Sequence, residues 1–227
     1  MEEGLFRVSI PDFDKRAFRE ALVNAFCHRD YSMLGRVRVE INSEWMLISN
    51  PGGFIEGINA DNLLDAEPHG RNPVLADALK RIGLAERTGR GIDRIYEGSL
   101  LYGRLLPDYS RSTSTSVRLF IPRGMPDRAF VRMISEEQQR LGHPLPIYAL
   151  LVLNTLKQMH QATLREISEA LKRDESRIKI VVETLVESGL VEAIGNGRGR
   201  NYMLSPKAYG RENTAAYIRQ KGIDELR

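Results

Sequence analysis

The 227-residue chain lacks, or has little of, several features that mark particular classes of protein. It contains one cysteine, Cys27, so it has no internal disulfide framework, and no cluster of Cys and His indicates structural zinc. No apolar run approaches the roughly 20 residues that span a bilayer. The first ten residues, MEEGLFRVSI, lack the layout of a signal peptide. We therefore expect a cytoplasmic protein without a membrane partner.

The composition is that of an ordinary globular protein. Hydrophobic residues make up 42% of the chain and charged residues 28%. The length suffices for one large or two modest domains with their own cores. The net charge is +3 and the isoelectric point is about 9.0. This mild basicity permits nucleic-acid binding but does not by itself argue for it.

The pattern of residues changes near position 125. Before it, strands and helices alternate with Gly and Asn turns, whereas the later sequence is mostly helical in pattern. The segment IPRGMP at 121–126 is a Pro- and Gly-containing boundary. We predict four parts: a first domain at 1–125, a helical connector at 126–145, a second domain at 146–206 and a helical tail at 207–227.

The stretch REALVNAFCHRDY at 19–31 lies in a predicted helix at 14–28 that has two different faces. One face is an apolar stripe with helical spacing, formed by Phe18, Ala21, Leu22, Ala25 and Phe26. The opposite face carries Glu20, Asn24 and His28 in one line. Such a line is more often a solvated surface. It also suits a metal and phosphate site, since an Asn oxygen can bind Mg²⁺ and a nearby Glu can activate water.

The rest of the first domain predicts an α+β fold. Strands are expected at 37–41 and 45–50, a helix at 71–84, a glycine loop and helix at 88–100, and a closing strand at 112–122. These elements form a mixed or antiparallel sheet with helices on one face. Two glycine segments, Gly52-Gly53 and Gly89-Arg90-Gly91, allow close backbone approach. A glycine loop before a helix favours an anion such as phosphate, although each segment alone is more often a plain turn.

The order of these pieces resembles the GHKL ATPases, which include gyrase B subunits, histidine kinases and MutL mismatch-repair proteins. EALVNAFCHRDYS, ISNPGGF and RNPVLADALKRIGLAERTGRGIDRI look more closely like the domain named after the C-terminal region of putative RecG-like ATP-dependent helicases. The likeness covers about residues 15–122. It implies a Bergerat (GHKL) α/β sandwich that binds ATP and Mg²⁺. The chain has no P-loop, so a helicase activity does not follow.

The resemblance also implies roles for individual residues. Asn24 matches the Mg²⁺-binding Asn, and Glu20 matches the Glu that activates water as a possible general base. Asn50 matches the adenine-contacting position, where the wider family has Asp, so its NH₂ group needs another partner. Gly52 and Gly53 shape that pocket, Gly89, Arg90 and Gly91 lie near the phosphates, and Thr113 or Thr115 contacts the adenine side. Four further positions match the subfamily signature without a derived role: His28, Asp30, Arg71 and Asn72.

The second domain is predicted to contain three helices and a hairpin. The helices lie at 147–159, 163–171 and 175–188, and the hairpin lies at 190–205. This order resembles a winged helix-turn-helix domain, which implies binding of double-stranded DNA. The implied contacts are Lys172, Arg173, Ser176, Arg177 and Lys179 around the recognition helix, with Arg198 and Arg200 at the wing. Winged helices also serve as dimerisation or docking modules, and three Glu residues in 175–187 dilute the basic face.

Three functional hypotheses follow. The first is a DNA-binding transcriptional regulator whose winged helix responds to ATP·Mg²⁺. The second is an active ATPase that uses Glu20 and is coupled to DNA transactions. The third is a non-enzymatic DNA-binding or dimerisation protein on a degenerate ATPase scaffold. We favour the first, because Asn50 and the short glycine loop argue against fast turnover while the intact glycine segments argue against decay. A homodimer is expected from the habit of the fold.

Overall fold

The computed structural model describes residues 11–67, 70–85 and 89–210, with Arg198 described by its backbone alone. It also describes the backbone of two short paired strands, β1 (Glu2–Glu3) and β2 (Phe6–Arg7). The chain divides into two compact units: unit 1 is Met1–Leu100 with Arg104–Pro126, and unit 2 is Leu101–Gly103 with Asp127–Arg227. Helices and small antiparallel sheets form the structure, so the predicted α+β class is confirmed.

Unit 1 is built on a three-stranded antiparallel sheet. Its strands are β3 (Arg38–Ile41), β4 (Trp45–Pro51) and β5 (Ser116–Pro122), in the order β3-β4-β5. Along the central strand, Met46, Ile48 and Asn50 are buried and the residues between them are partly exposed. This alternation places one face of the sheet on the core.

The described residues of unit 1 also form the helices α1 (Lys15–Cys27), α2 (Pro73–Arg81) and α3 (Gly91–Leu100). The carboxylate of Asp14 caps α1, accepting from the backbone N–H groups of Arg16 and Ala17 at 2.8 and 3.0 Å. Helix α1 packs against both α3 and β4. The contact with α3 is close because Gly98 of α3 faces Ala17 of α1.

The predicted apolar stripe of α1 is only partly right. Ala21 and Ala25 are buried, but Phe26 is 41% exposed. The opposite face is not simply a solvated surface, since Glu20 is only 2% exposed and Asn24 and His28 are partly buried. The physical reason is that α3 docks on the side of α1 that carries Glu20, which the periodicity of α1 alone does not reveal.

Unit 2 is mostly helical over its described residues, and the helices follow in chain order. They are α4 (Arg128–Leu141), α5 (Ile147–Met159), α6 (Leu164–Leu171), α7 (Glu175–Glu187) and the short α8 (Pro206–Tyr209). Helix α5 is buried without interruption from Tyr148 to Leu156. A capping box between Thr163 and Glu166 starts α6.

The predicted hairpin of unit 2 is confirmed. Strands β7 (Val191–Ile194) and β8 (Asn201–Leu204) pair antiparallel, and Gly197–Gly199 forms a 3₁₀ turn at the tip. A two-residue strand, β6 (Ala162–Thr163), adds to β8 and completes the order β6-β8-β7. No local pattern predicts β6, because its pairing joins segments about forty residues apart.

Several boundaries differ from the sequence prediction. The helix predicted at 71–84 runs from Pro73 to Arg81, since Pro73 sits at its first position and Gly83 follows with a φ of +77°. The strand predicted from 112 begins at Ser116, because Thr113 bonds back to Ser116 and closes a turn. In the predicted tail, residues 211–227 lie outside the described residues. Within the described part of the chain, no helix has the length and apolar character needed to cross a membrane.

Candidate functional site

A cavity of about 250 Å³ lies within unit 1. Its polar lining includes Glu20 and Asn24 of α1, His28 directly after α1, and Asn50 of β4. The remaining lining is largely apolar and comes from β4, β5 and the segment between β4 and α2: Ile48, Phe54, Ile55, Ile58, Leu63, Leu64, Val117 and Leu119. A mostly apolar cavity with a few convergent polar groups is typical of a small-molecule site.

The line of polar residues on α1 meets the start of α3. A Cβ atom built on Gly91 would lie 3.3 Å from Glu20 Oε2 and 3.7 Å from both Asn24 Oδ1 and Asn24 Nδ2. Glycine at this first position of α3 therefore leaves room between the helix N-terminus and the two side chains. The N-terminal N–H groups of a helix favour an anion. Glu20, Asn24 and an anion-attracting backbone are thus brought to one place.

Asn50 is 4% exposed and has a defined orientation. Its Nδ2 donates to the carbonyl oxygen of Pro51 at 3.1 Å, and its own backbone carbonyl accepts from Ser116 Oγ at 3.1 Å. The NH₂ group therefore has the partner that an Asn at this position requires. The side-chain oxygen keeps its capacity to accept a hydrogen bond at the cavity.

Asp30 and Arg71 form an ion pair beside the Gly52-Gly53 turn, which we call the Asp30–Arg71 clamp. Arg71 Nη1 donates to Asp30 Oδ2 at 2.9 Å, and Arg71 Nη2 donates to the Gly53 carbonyl at 3.1 Å. Gly52 has a φ of +93°, and a Cβ atom there would lie 2.6 Å from Arg71 Nη1. The clamp therefore requires glycine at 52 and fixes the turn that follows β4.

Asn72 holds the end of α1 in place. Its Nδ2 donates to the carbonyl oxygens of Cys27 and Arg29 at 2.9 and 2.8 Å. The carbonyl groups at a helix C-terminus have no partner within the helix, and this side chain supplies one. Asp30, Arg71 and Asn72, which had no role assigned from sequence, therefore support the backbone around the cavity.

The electrostatics of the cavity involve a cation that the sequence prediction missed. Lys80 of α2 is part of the lining. Burial raises the pKa of the Cys27 thiol, Lys80 counteracts this, and Glu20 raises it further. Burial and the charge of Arg71 lower the pKa of His28, which favours a neutral imidazole. Lys80 carried no sequence signal, because a lysine near the end of an amphipathic helix is ordinarily solvent-exposed.

Some predicted residues do not line the cavity in the described part of the chain. Arg90 pairs with Asp93 and Glu97 of α3 at 3.3 and 3.2 Å. Thr113 and Thr115 are exposed in the turn before β5, with their hydroxyl oxygens 3.3 Å apart. Gly53, Gly89 and Gly91 do line the cavity, whereas Gly52 belongs to the clamp.

Sequence reasoning also missed Tyr109, which is buried at the cavity. Burial and the neighbouring Tyr96 raise the pKa of its hydroxyl. Its ring lies 6.1 Å from that of Phe54, centroid to centroid. Tyr109 follows α3 in a loop without a motif, so only the fold brings it to the site.

In unit 2, several of the basic residues that were expected to bind DNA make other contacts. Their side chains lie against aromatic rings or carboxylates of the same unit. The guanidinium of Arg177 lies 4.0 Å from the centroid of the Tyr148 ring, and Arg173 Nε donates to the Tyr148 hydroxyl at 3.2 Å. Lys179 lies 3.8 Å from Glu183, and Arg200 stacks 5.6 Å from the ring of Tyr202. Lys172 and Ser176 are exposed, while nothing is described of the Arg198 side chain.

The side chains at the cavity suit a magnesium ion only if a bound ligand supplies further oxygen atoms. Among the residues that the structure describes, no group of three or more His, Cys, Asp or Glu side chains is placed to hold a metal. Asn24 offers one oxygen and Glu20 a carboxylate nearby. Mg²⁺ is often bound by one or two protein oxygens together with phosphate oxygens and water. The residues therefore fit an ion that arrives with a phosphorylated ligand.

Residues 35–121 match the family model described as "Putative ATP-dependent DNA helicase recG C-terminal". The family predicted from the sequence is confirmed for this segment. The matched segment contains β3, β4, α2, α3 and nearly all of β5. It begins after α1, so Glu20, Asn24 and His28 lie outside it.

Comparison with solved structures supports the fold. The DIP2311 protein from Corynebacterium diphtheriae is similar with a TM-score of 0.70 and 24% sequence identity, over 90% of this chain and 43% of that one. The present chain therefore spans less than half of that protein. The YusO protein from Bacillus subtilis matches with a TM-score of 0.27 and 17% identity, over 41% of this chain and 70% of that one, which is too little to carry an inference. No curated protein sequence matches the chain.

Proposed function

We propose that this protein is an ATP-responsive, DNA-binding regulator. Unit 1 would be a Bergerat-type (GHKL) domain that binds ATP with Mg²⁺, and unit 2 a winged helix that binds double-stranded DNA. One observation carries the nucleotide part: the buried Glu20 and the partly exposed Asn24 together line a cavity beside the N-terminus of α3. The match to a RecG-related ATPase-like family supports the same ligand class.

Each part of the cavity has a role in this proposal. The side-chain oxygen of Asn24 would bind Mg²⁺, and the start of α3 with Gly89 and Gly91 would face the phosphates. The apolar residues between β4 and α2 would enclose the base, with Asn50 accepting from its exocyclic amine. Lys80 would add a positive charge for the phosphates.

Hydrolysis is a second candidate activity, favoured by the position of Glu20. Its Oε2 lies closer than either polar atom of Asn24 to the Cβ position of Gly91. A carboxylate there would orient or deprotonate water. The variant Glu20→Gln should then lose turnover while it keeps nucleotide affinity. Loss of affinity together with turnover would assign Glu20 to binding.

Calorimetric titration with a non-hydrolysable ATP analogue tests nucleotide binding. We expect micromolar affinity with Mg²⁺ and much weaker binding without it. Asn24→Ala should abolish the Mg²⁺-dependent part, because it removes the oxygen ligand. Gln139→Ala, which removes an exposed carboxamide from α4, should bind as the wild type does. No heat at millimolar analogue from folded protein would refute the proposal.

DNA binding is tested separately, by fluorescence anisotropy with duplex DNA over a series of salt concentrations. The double variant Arg198→Ala with Arg200→Ala should bind more weakly and reduce the salt slope by about 1 for each phosphate that it no longer neutralises. Arg132→Ala, an exposed arginine of α4, serves as the matched control. Absence of binding by the wild type at low salt would favour a docking or dimerisation role for unit 2.

A further inference from the structure

Strand β3 leaves apolar side chains uncovered at the edge of the unit 1 sheet. Val39 lies opposite Ile48 of β4, and Ile41 lies opposite Met46. Directly opposed residues share a face of a sheet, so Val39 and Ile41 lie on the face that carries the core. Met46 and Ile48 are 1% and 2% exposed there, whereas Val39 and Ile41 are 39% and 59% exposed. The core face of the sheet is therefore covered at β4 but open at β3.

The outer edge of β3 also has backbone groups available for pairing. Asn42 N donates to Trp45 O at 3.0 Å, which closes the hairpin and sets the alternation along the strand. Residues 38, 40 and 42 therefore direct their N–H and C=O groups toward β4. Those of Val37, Val39 and Ile41 point away from β4. In the described ranges, β4 is the single strand that pairs with β3.

The order of charges along β3 is complementary to that of the same strand running in the opposite direction. Arg38 and Glu40 lie on the face opposite Val39, and their side chains are 64% and 45% exposed. They lie 3.7 Å apart along the strand, which makes only a weak surface pair. When β3 is placed antiparallel to a copy of itself about Val39, Arg38 of each copy faces Glu40 of the other. A different partner strand would need an acidic residue opposite Arg38 and a basic residue opposite Glu40.

We propose that β3 pairs with β3 of a second copy of this chain, antiparallel, about a two-fold axis at Val39. The register agrees with the backbone alternation, because Val39 would meet Val39 of the second copy and Val37 would meet Ile41 in hydrogen-bonded pairs. Arg38 and Glu40 would then form non-hydrogen-bonded pairs, in which opposing side chains lie closest. The contact is isologous and joins two three-stranded sheets into one continuous sheet.

Charge reversal gives a sharp test, with the full chain studied by sedimentation velocity without nucleotide. The wild type should be dimeric at high micromolar concentration. Arg38→Glu alone and Glu40→Arg alone place like charges opposite each other, so each should raise the dimer dissociation constant by about tenfold or more. Arg118→Glu, the same change on the other edge strand β5, should leave it unchanged.

Mixing the two single variants distinguishes this contact from a general loss of stability. One variant carries two carboxylates on the strand and the other carries two guanidinium groups, so an equimolar mixture should form a heterodimer. The double variant Arg38→Glu with Glu40→Arg should regain the wild-type dissociation constant. Val39→Pro removes an outward N–H but no bond to β4, and it should weaken the dimer while thermal unfolding confirms the fold.

The proposal is overturned by a wild type that stays monomeric throughout, or by a dimer that neither charge reversal weakens. It is also overturned if the mixed variants fail to associate. None of these results depends on whether unit 1 binds ATP.

Discussion

At the residue scale, the Asp30–Arg71 clamp shows how charged side chains can define a site without facing its cavity. Arg71 joins the carboxylate of Asp30 to the carbonyl of Gly53, and so holds the turn at the end of β4. Asp30 also accepts from the backbone and hydroxyl of Ser32, and these bonds are the largest cause that lowers its pKa. The hydrogen bonds that position the Asp30 carboxylate therefore also favour its ionised form.

We expect Arg71→Met to lower the free energy of unfolding more than loss of an exposed ion pair does, because it removes partly buried hydrogen bonds to the Asp30 carboxylate and to the Gly53 carbonyl. Arg81→Met is the matched control. Its ion pair with Asp77 is 2.8 Å long, but the two side chains are 79% and 58% exposed. Such a pair contributes about 0.3–0.5 kcal/mol. Urea unfolding of both variants measures the difference, and equal losses would show that the clamp is not stabilising.

His28 predicts a dependence of stability on pH. Its pKa is lowered in the folded state, by burial first and by Arg71 second. The unfolded chain takes up a proton near pH 6.5, while the folded chain does so only at lower pH. Stability is therefore complete above about pH 6.5 and falls as the pH drops below it. His28→Gln should flatten the urea-unfolding profile between about pH 7 and pH 5, and an unchanged slope would contradict this assignment.

At the scale of elements, the docking of α3 on α1 explains why Glu20, on the polar face of α1, is buried. Gly98 of α3 meets Ala17 of α1 so closely that an added Cβ would overlap with it. Gly98→Ala should therefore lower the free energy of unfolding by about 1–3 kcal/mol, despite the better helix propensity of alanine. Gly199→Ala, where a Cβ would meet nothing within 4 Å, is the control. A stabilised Gly98→Ala protein in urea unfolding would show that the helices can separate without cost.

The elements themselves were largely predictable, since each rests on local patterns. The helix predicted at 14–28 and the hairpin predicted at 190–205 both appear in the structure. The features that were not predicted depend on contacts between residues that are distant in sequence. The burial of Glu20 requires α3, and the pairing of β6 requires β8, so neither could be predicted from its own segment.

The candidate site was predictable to the extent that its motifs are local. Asn24, Asn50 and Gly91 were predicted and do line the cavity. Lys80 and Tyr109 were not, because they come from a helix and a loop without a distinctive motif. Arg90 was placed near phosphates because a basic residue in a glycine loop favours anions, yet two acidic residues of its own helix engage it.

At the scale of the whole molecule, two units with separate cores should respond separately to a ligand. If nucleotide binds unit 1 alone, a concentration of 100 times the dissociation constant stabilises that unit by about 2.7 kcal/mol. Differential scanning calorimetry should then show one transition moving to higher temperature and the other unmoved. Asn24→Ala should remove the shift. A shift of both transitions together would mean that the units unfold as one cooperative body.

The bond from Asn72 to the end of α1 has a consequence for the order of folding. The carbonyl groups of Cys27 and Arg29 receive their partner from a residue more than forty positions later in the chain. Closing such a loop costs entropy before its contacts compensate for it. The last turn of α1, which carries Asn24 and His28 toward the cavity, should therefore become ordered late, after the β3–β4 hairpin has formed. A destabilised Asn72 variant would then fold at a nearly unchanged rate and unfold faster.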